Sequence, residues 1–224
     1  CGKLLARDGL VQSSAADEAA YHEALVAPAF ALCPTPIRRV AILGGGEGAT
    51  LREVLRFPEV RACTMVDIDA ELVALCRAHL PEWSAGAFDD PRADVRCGDA
   101  RAFLERAVQH GDRYDLILCD LPEAEPTGPL RALYSRPFFD LLRRCLTPTG
   151  VYAGQVGSLQ TGAALLGPAA IVATARAVLD PVRVYARYLP SYWGEWVFAI
   201  GGPGLATAED PGAVAAAAID GALA

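Results

Sequence analysis

Histidine is scarce in this chain. His22, His79 and His110 are the only three, and their spacing fits no metal-ligand pattern. The seven cysteines (Cys1, Cys33, Cys63, Cys76, Cys97, Cys119 and Cys145) contain no Cys-x-x-Cys pair. Several fall in apolar strand or helix patterns, so buried, reduced thiols of a cytoplasmic protein are expected. No apolar run is long enough to span a bilayer, although 53% of the residues are hydrophobic. The opening residues, Cys1-Gly-Lys-Leu-Leu-Ala-Arg-Asp8, lack the apolar middle of a signal peptide, and the absence of an initial Met reads as a trimmed start. Basic residues are also in deficit. A net charge of −7 argues against general nucleic-acid binding and mildly favours a cationic small ligand. At 224 residues the chain is most simply one domain with a substantial core.

What is present centres on Val40-Ala-Ile-Leu-Gly-Gly-Gly-Glu-Gly-Ala-Thr50. Val40 to Leu43 has the continuous apolarity of a buried parallel strand, and it breaks into glycines before a helical pattern that starts near Thr50. Strand, glycine turn and helix open a nucleotide-binding βαβ unit, where the backbone must turn sharply and approach a ligand without a Cβ in the way. A second apolar strand, Thr64 to Val66, then leads to Asp67, an acid placed to accept hydrogen bonds from ribose hydroxyls. Gly44, Gly46 and Gly48 do not have the dinucleotide spacing, because Thr50 and Leu51 stand where a third glycine would be expected. The turn is closer to that of S-adenosylmethionine-type folds. It also carries Glu47, which a phosphate site would avoid, so the ligand is expected to be positively charged and free of phosphate.

Along the chain, Asp8 to Gln12 reads as a short strand. A helix follows from about Ala15 to Leu32, capped by Ser13 or Ser14 and ended by Pro34 and Pro36. Strands are then expected at Val40, Thr64 to Ile68, Asp94 to Cys97, Tyr114 to Cys119, Gly150 to Val156, Val182 to Tyr188 and Glu195 to Ile200. Helices alternate with them at Thr50 to Phe57, Ala70 to Leu80, Arg101 to Val108, Leu130 to Cys145 and Ala163 to Leu179, and Pro81 to Pro91 reads as a loop. Such alternation predicts an α/β fold with a doubly wound, mostly parallel sheet, which binds ligands at the carboxyl ends of its strands. The organisation expected is a leading segment 1–14, a nucleoside-binding α/β domain 15–202 and an Ala- and Gly-rich tail 203–224 without chemistry.

The Gly44 to Glu47 turn, Asp67, Asp99 and Asp120 each lie just past a successive strand. One such acid is often only a helix cap; four in register point to a site. Asp67 suits a ribose, Asp99 an adenine amino group and Glu47 a cation on the nucleoside's side arm. Asp120 and Glu123 add carboxylates beside them. A carboxylate cluster without a histidine or cysteine ligand set or a phosphate loop suits a polyamine. One carboxylate would deprotonate an amine, and the others would hold the remaining ammonium groups. Tyr21, Tyr192, Trp193 and Trp196 are candidates to line the channel, with core packing the better reading for Trp196.

These residues resemble the polyamine aminopropyltransferases, the spermidine and thermospermine synthase family, over about Asp8 to Ile200. The matching pieces are Asp8-Gly-x-x-Gln12, Asp17-Glu18-x-x-Tyr21-His22-Glu23, Gly44-Gly-Gly-Glu-Gly48, Asp67-Ile-Asp69, Gly98-Asp99-Ala100, Tyr114-Asp-Leu-Ile-Leu-Cys-Asp120, Gly128-Pro129, Leu133-Tyr134, Gln155 and Pro190-Ser-Tyr-Trp193. The unbroken stretch from Asp120 to Pro129 is most similar to the plant-type thermospermine synthases. The resemblance implies a seven-stranded, Rossmann-like methyltransferase-type fold with decarboxylated S-adenosylmethionine as co-substrate and no metal. By position, Asp120 would be the proton acceptor and Glu47 the holder of the aminopropyl ammonium. Asp67 would bind ribose, Asp99 and Ala100 the adenine, Gln12 and His22 the donor, and Tyr21, Glu123 and Tyr192 the acceptor amine. A homodimer is also implied. The small N-terminal β-domain usual in the family is missing before Asp8, and Glu123 and Ala124 replace the usual Asp and Pro, which bears on acceptor choice and activity. Competing readings are a methyltransferase using intact S-adenosylmethionine and a non-catalytic binding relic.

Overall fold

A computed structural model describes residues 2–123, 129–159 and 166–205. Cys1, loop positions 124–128 (with Ala124 and Gly128), the expected helix start at Ala163 and the tail from 206 lie outside these residues.

Strands β1 (Leu4–Arg7) and β2 (Leu10–Ser14) form an antiparallel hairpin that is a two-stranded sheet of its own. The main sheet holds β3 (Arg39–Gly44), β4 (Ala62–Asp67), β5 (Ala93–Cys97), β6 (Tyr114–Asp120), β7 (Leu146–Ser158), β8 (Val182–Leu189) and β9 (Gly194–Gly201). Their order is β5-β4-β3-β6-β7-β9-β8. The first five strands are parallel; β9 runs antiparallel to both β7 and β8. This is the seven-stranded, Rossmann-like architecture expected from the sequence.

The apolar runs are continuous because the central strands are covered on both faces. Ala41 and Leu43 of β3, with Ile117 and Cys119 of β6, enter one half of the core. There they meet α5 (Ala100–His110), α6 (Arg136–Cys145) and α7 (Leu166–Leu179). Val40 and Ile42, with Leu116 and Leu118, enter the other half, under α1 (Glu18–Leu32) and α2 (Ala49–Leu55). Helix α3 (Ala70–His79) follows β4, and α4 (Pro81–Ser84) breaks the expected Pro81 to Pro91 loop together with a 3-10 turn at Ala87–Asp89. Trp83 of α4 is fully buried, so that segment packs as core instead of lying on the surface.

Several local expectations are corrected. Helix α1 begins at Glu18, and Ser13 and Ser14 end β2 instead of capping it. Asp17 holds the N-cap position without capping, because its carboxylate accepts from the Ser191 N–H and hydroxyl, each at 2.7 Å. A distant pair of donors outcompetes the local N–H groups. The Leu130 to Cys145 helix divides into a 3-10 turn at Pro129–Tyr134 and α6. Strand β7 runs well beyond Gly150 to Val156 in both directions. Pro28 sits inside α1, where it has no N–H for the Ala24 carbonyl; the Tyr185 hydroxyl donates to that carbonyl instead, at 2.7 Å.

Candidate active site

The chain leaves β3 toward β4 and β5 on one side and later returns to place β6 on the other. The carboxyl ends of β3 and β6 therefore form the topological switch point, where the register pairs Gly44 with Asp120. Gly44 has φ +84°, and a Cβ there would stand 2.1 Å from the Asp120 carbonyl oxygen. Only glycine permits the two strand ends to approach this closely. At Gly46 a Cβ would come within 2.9 Å of Asp67 Oδ2. The turn is thus shaped around two acids before any ligand is considered.

Asp120 is held by two hydroxyl donors. Its Oδ1 accepts from the Tyr21 hydroxyl at 2.8 Å and its Oδ2 from the Thr50 hydroxyl at 2.6 Å. Burial first, then the charge of Glu47, lifts this carboxyl above the usual range, against the opposing pull of His22, Thr50 and Tyr21. Asp67, last in β4, accepts from the Asp69 N–H at 2.9 Å, and burial raises its carboxyl as well. Asp69 and Asp99 cap α3 and α5 by accepting from Leu72 N–H and Ala102 N–H. Asp99 itself is exposed, and Ala100 behind it is buried.

His22 is buried on α1. Its Nε2 lies 3.2 Å from Glu47 Oε1 and 3.9 Å from Asp120 Oδ2; its Nδ1 lies 2.6 Å from the Glu18 main-chain oxygen. Burial alone would drive the ring neutral, but hydrogen bonds to Glu18 and Glu47 and the charges of Glu47 and Asp120 hold its pKa up to about 10. His22, Glu47 and Asp120 present one atom each within 4.8 Å of one another, near enough for a shared metal ion. A protonated ring in this position pairs with the two carboxylates.

The acceptor candidates adjoin this cluster. The Tyr21 and Tyr192 rings are 6.2 Å apart, Tyr192 stacks on Trp196 at 4.5 Å, and the Tyr192 hydroxyl donates to the Gln12 carbonyl. Gln12 therefore meets the site through its backbone, and its side-chain amide turns back to Leu10 at 3.5 Å. Trp196 is buried, as expected, but Trp193 is 87% exposed and lines no channel here. Glu123 accepts from the Ser158 N–H, and burial raises its carboxyl. Its Oε1 lies 3.1 Å from where a Gly157 Cβ would be, so the longer side chain leans on the end of β7.

Several supporting residues were given no role from sequence. Thr50 was visible only as a non-glycine in the turn. Gln155 and the Tyr134 hydroxyl bond the Leu121 and Pro122 carbonyls, fixing the path of the chain just after Asp120.

The comparisons decide the lineage. A profile of the spermine/spermidine synthase domain matches residues 18–206. The chain belongs to this family. It is 45% identical over 197 residues to polyamine aminopropyltransferase 2 of Pseudomonas aeruginosa, covering 88% of this chain and 55% of that one. It is 44% identical over 214 residues to the polyamine aminopropyltransferase of a Synechococcus strain, covering 94% and 65%. Among solved structures, a spermidine synthase in complex with the transition-state analogue AdoDATO superposes with a TM-score of 0.81 at 26% identity, covering 91% of this chain and 67% of that chain. Against the first of these relatives the family chain here spans little more than half the length.

Proposed function

We propose that this chain is the catalytic part of a polyamine aminopropyltransferase, which moves an aminopropyl group from decarboxylated S-adenosylmethionine to an amine such as putrescine or spermidine. The observation that carries this reading is Asp120, a buried carboxylate at the switch point whose proton affinity is raised while Glu47 and His22 stand beside it. A base with a raised pKa is better matched to taking a proton from an ammonium near neutral pH. The amine freed in this way attacks the methylene next to the sulfonium. A C–N bond forms, the C–S bond breaks with its electron pair passing to sulfur, and methylthioadenosine leaves as a neutral thioether.

The charge balance supports this donor. Glu47 and Asp120 face one imidazolium and Asp67 lies within reach of the Glu47 charge, so the pocket has an excess of negative charge for a sulfonium and an ammonium. Glu47 holds the donor's ammonium in this reading and would repel the carboxylate of intact S-adenosylmethionine. Asp67 takes the ribose, Asp99 and Ala100 the adenine, and Gln12 and His22 complete the donor site. Tyr21, Tyr192 and Glu123 contact the acceptor. Residues 1–14 belong to an N-terminal β segment, 15–202 form the catalytic domain and 203–224 a tail without chemistry. A homodimer in the cytoplasm, with no nucleic-acid partner and no metal, completes the proposal; among the described residues no helix is long and apolar enough to cross a membrane.

Calorimetry with intact and decarboxylated S-adenosylmethionine, followed by mass detection of products with putrescine, spermidine and spermine, tests the proposal. The expected result is preference for the decarboxylated donor with release of methylthioadenosine. Preference for the intact donor would move the chain to the methyltransferases, and binding without turnover would favour a relic.

A further inference from the structure

A line of charges runs behind the reacting carboxylates. Arg52 of α2 donates to Glu18 Oε1 at 3.1 Å and Oε2 at 2.9 Å, and is itself pinned by the Trp83 carbonyl at 2.6 Å. Glu18 Oε2 lies 3.2 Å from His22 Nδ1, and the opposite ring nitrogen meets Glu47 and Asp120. A carbonyl oxygen only accepts, so Nδ1, which is 2.6 Å from the Glu18 carbonyl, carries a hydrogen. At Nε2 the charges of Glu47 and Asp120 favour a hydrogen as well. The ring is enclosed by Glu18 and Tyr21 of α1, Glu47 of the glycine turn and Asp120 of β6, and the Tyr21 hydroxyl is committed to Asp120. Among the described residues, the ionisable groups set against the ring are acids and a phenol.

We propose that Glu18 is a positioning residue: anchored by Arg52, its carboxylate keeps His22 an imidazolium, and that cation offsets the charge of Glu47 beside Asp120. Two carboxylates sharing one buried site repel, and without a cation between them one takes up a proton. A protonated Asp120 is no base. The main-chain carbonyl of Glu18 already orients the ring, so the side chain contributes charge more than geometry. Glu18→Gln separates the two, since it keeps shape and removes charge. The inference rests on the aminopropyl-transfer reading only for what the two anions bind.

The test is an NMR pH titration of the His22 ring in the full chain, where His79 and His110 are both exposed and so distinguishable from it. The native ring is expected to stay protonated through neutral pH, with a midpoint near about 10. In Glu18→Gln the midpoint falls by about 1–3 pH units, the usual effect of one adjacent charge. Glu18→Asp, which keeps the charge, recovers part of that fall. A native ring already neutral at mildly alkaline pH, or an unmoved midpoint in Glu18→Gln, overturns the proposal. Should Glu18→Gln not fold, the native and Glu18→Asp titrations still decide. A preference for intact S-adenosylmethionine would sink the functional reading while leaving the titration result standing, so the two failures are distinguishable.

Discussion

Replacing Asp120 with asparagine is the sharpest probe of the chemistry. Asparagine has the same size, its amide oxygen can accept from Tyr21, and the Thr50 hydroxyl can turn to accept from the amide N–H where it now donates. The fold and the nucleoside pocket should therefore survive. What disappears on the proposed reading is the proton acceptor, and general-base catalysis is worth about 10²–10⁴-fold in rate. The pH profile carries a second signature. Burial and Glu47 raise the native carboxyl, so its rate falls on the acid side as pH drops through a pKa above the ordinary value of about 3.9, and Asp120→Asn lacks that limb. The assay is methylthioadenosine release at saturating donor and amine, with nucleoside binding and thermal unfolding as controls. Turnover lowered by less than about tenfold, the worth of one ordinary hydrogen bond, would refute the assignment.

Glu47→Gln should weaken binding of the decarboxylated donor by about 1.5–3 kcal/mol, the worth of a charged hydrogen bond, and narrow its preference over the intact donor; calorimetry with both ligands reads this. Tyr185→Phe strands the Ala24 carbonyl opposite Pro28 and should cost about 1–3 kcal/mol in denaturant unfolding, with turnover of the folded protein retained. Gly44→Ala forces a Cβ to within 2.1 Å of the Asp120 carbonyl oxygen at φ +84°, so loss of soluble folded protein or of all nucleoside binding is expected. His22 has a folded pKa of about 10 against an ordinary value of about 6.5, so its contribution to stability is complete below the ordinary value and drains away as pH rises toward the folded one; His22→Gln should flatten that alkaline slope in unfolding measurements.

The sheet was legible because its central strands are buried on both faces and therefore read as unbroken apolar runs. Acids at strand ends were legible for the related reason that a polar residue ending such a run must meet solvent, a cap or a ligand. The sequence does not separate those three outcomes. Asp69 and Asp99 cap helices, whereas Asp120 is closed in by Tyr21 and Thr50, and the difference depends on which strand lies beside the switch point. What stayed hidden was long-range pairing. Asp17 and Pro28 both fall inside the helix expected from Ala15 to Leu32, yet Asp17 bonds Ser191, and the acceptor that Pro28 orphans is reached by Tyr185. Trp193 was an aromatic candidate for the channel, yet with φ +59° beside Gly194 it turns outward.

The same contrast explains why the site is built on a buried histidine. On the proposed reading the pocket takes a doubly cationic donor and needs an excess of carboxylates, and burying carboxylates is costly unless they are paired. A lysine or arginine could supply a counter-charge, but its long flexible arm would compete for the space of the donor's own ammonium. An imidazole held from behind by Glu18, which Arg52 anchors in turn, gives a compact cation that cannot swing into the pocket. It neutralises part of the acid cluster and leaves the remaining negative charge directed at the ligand.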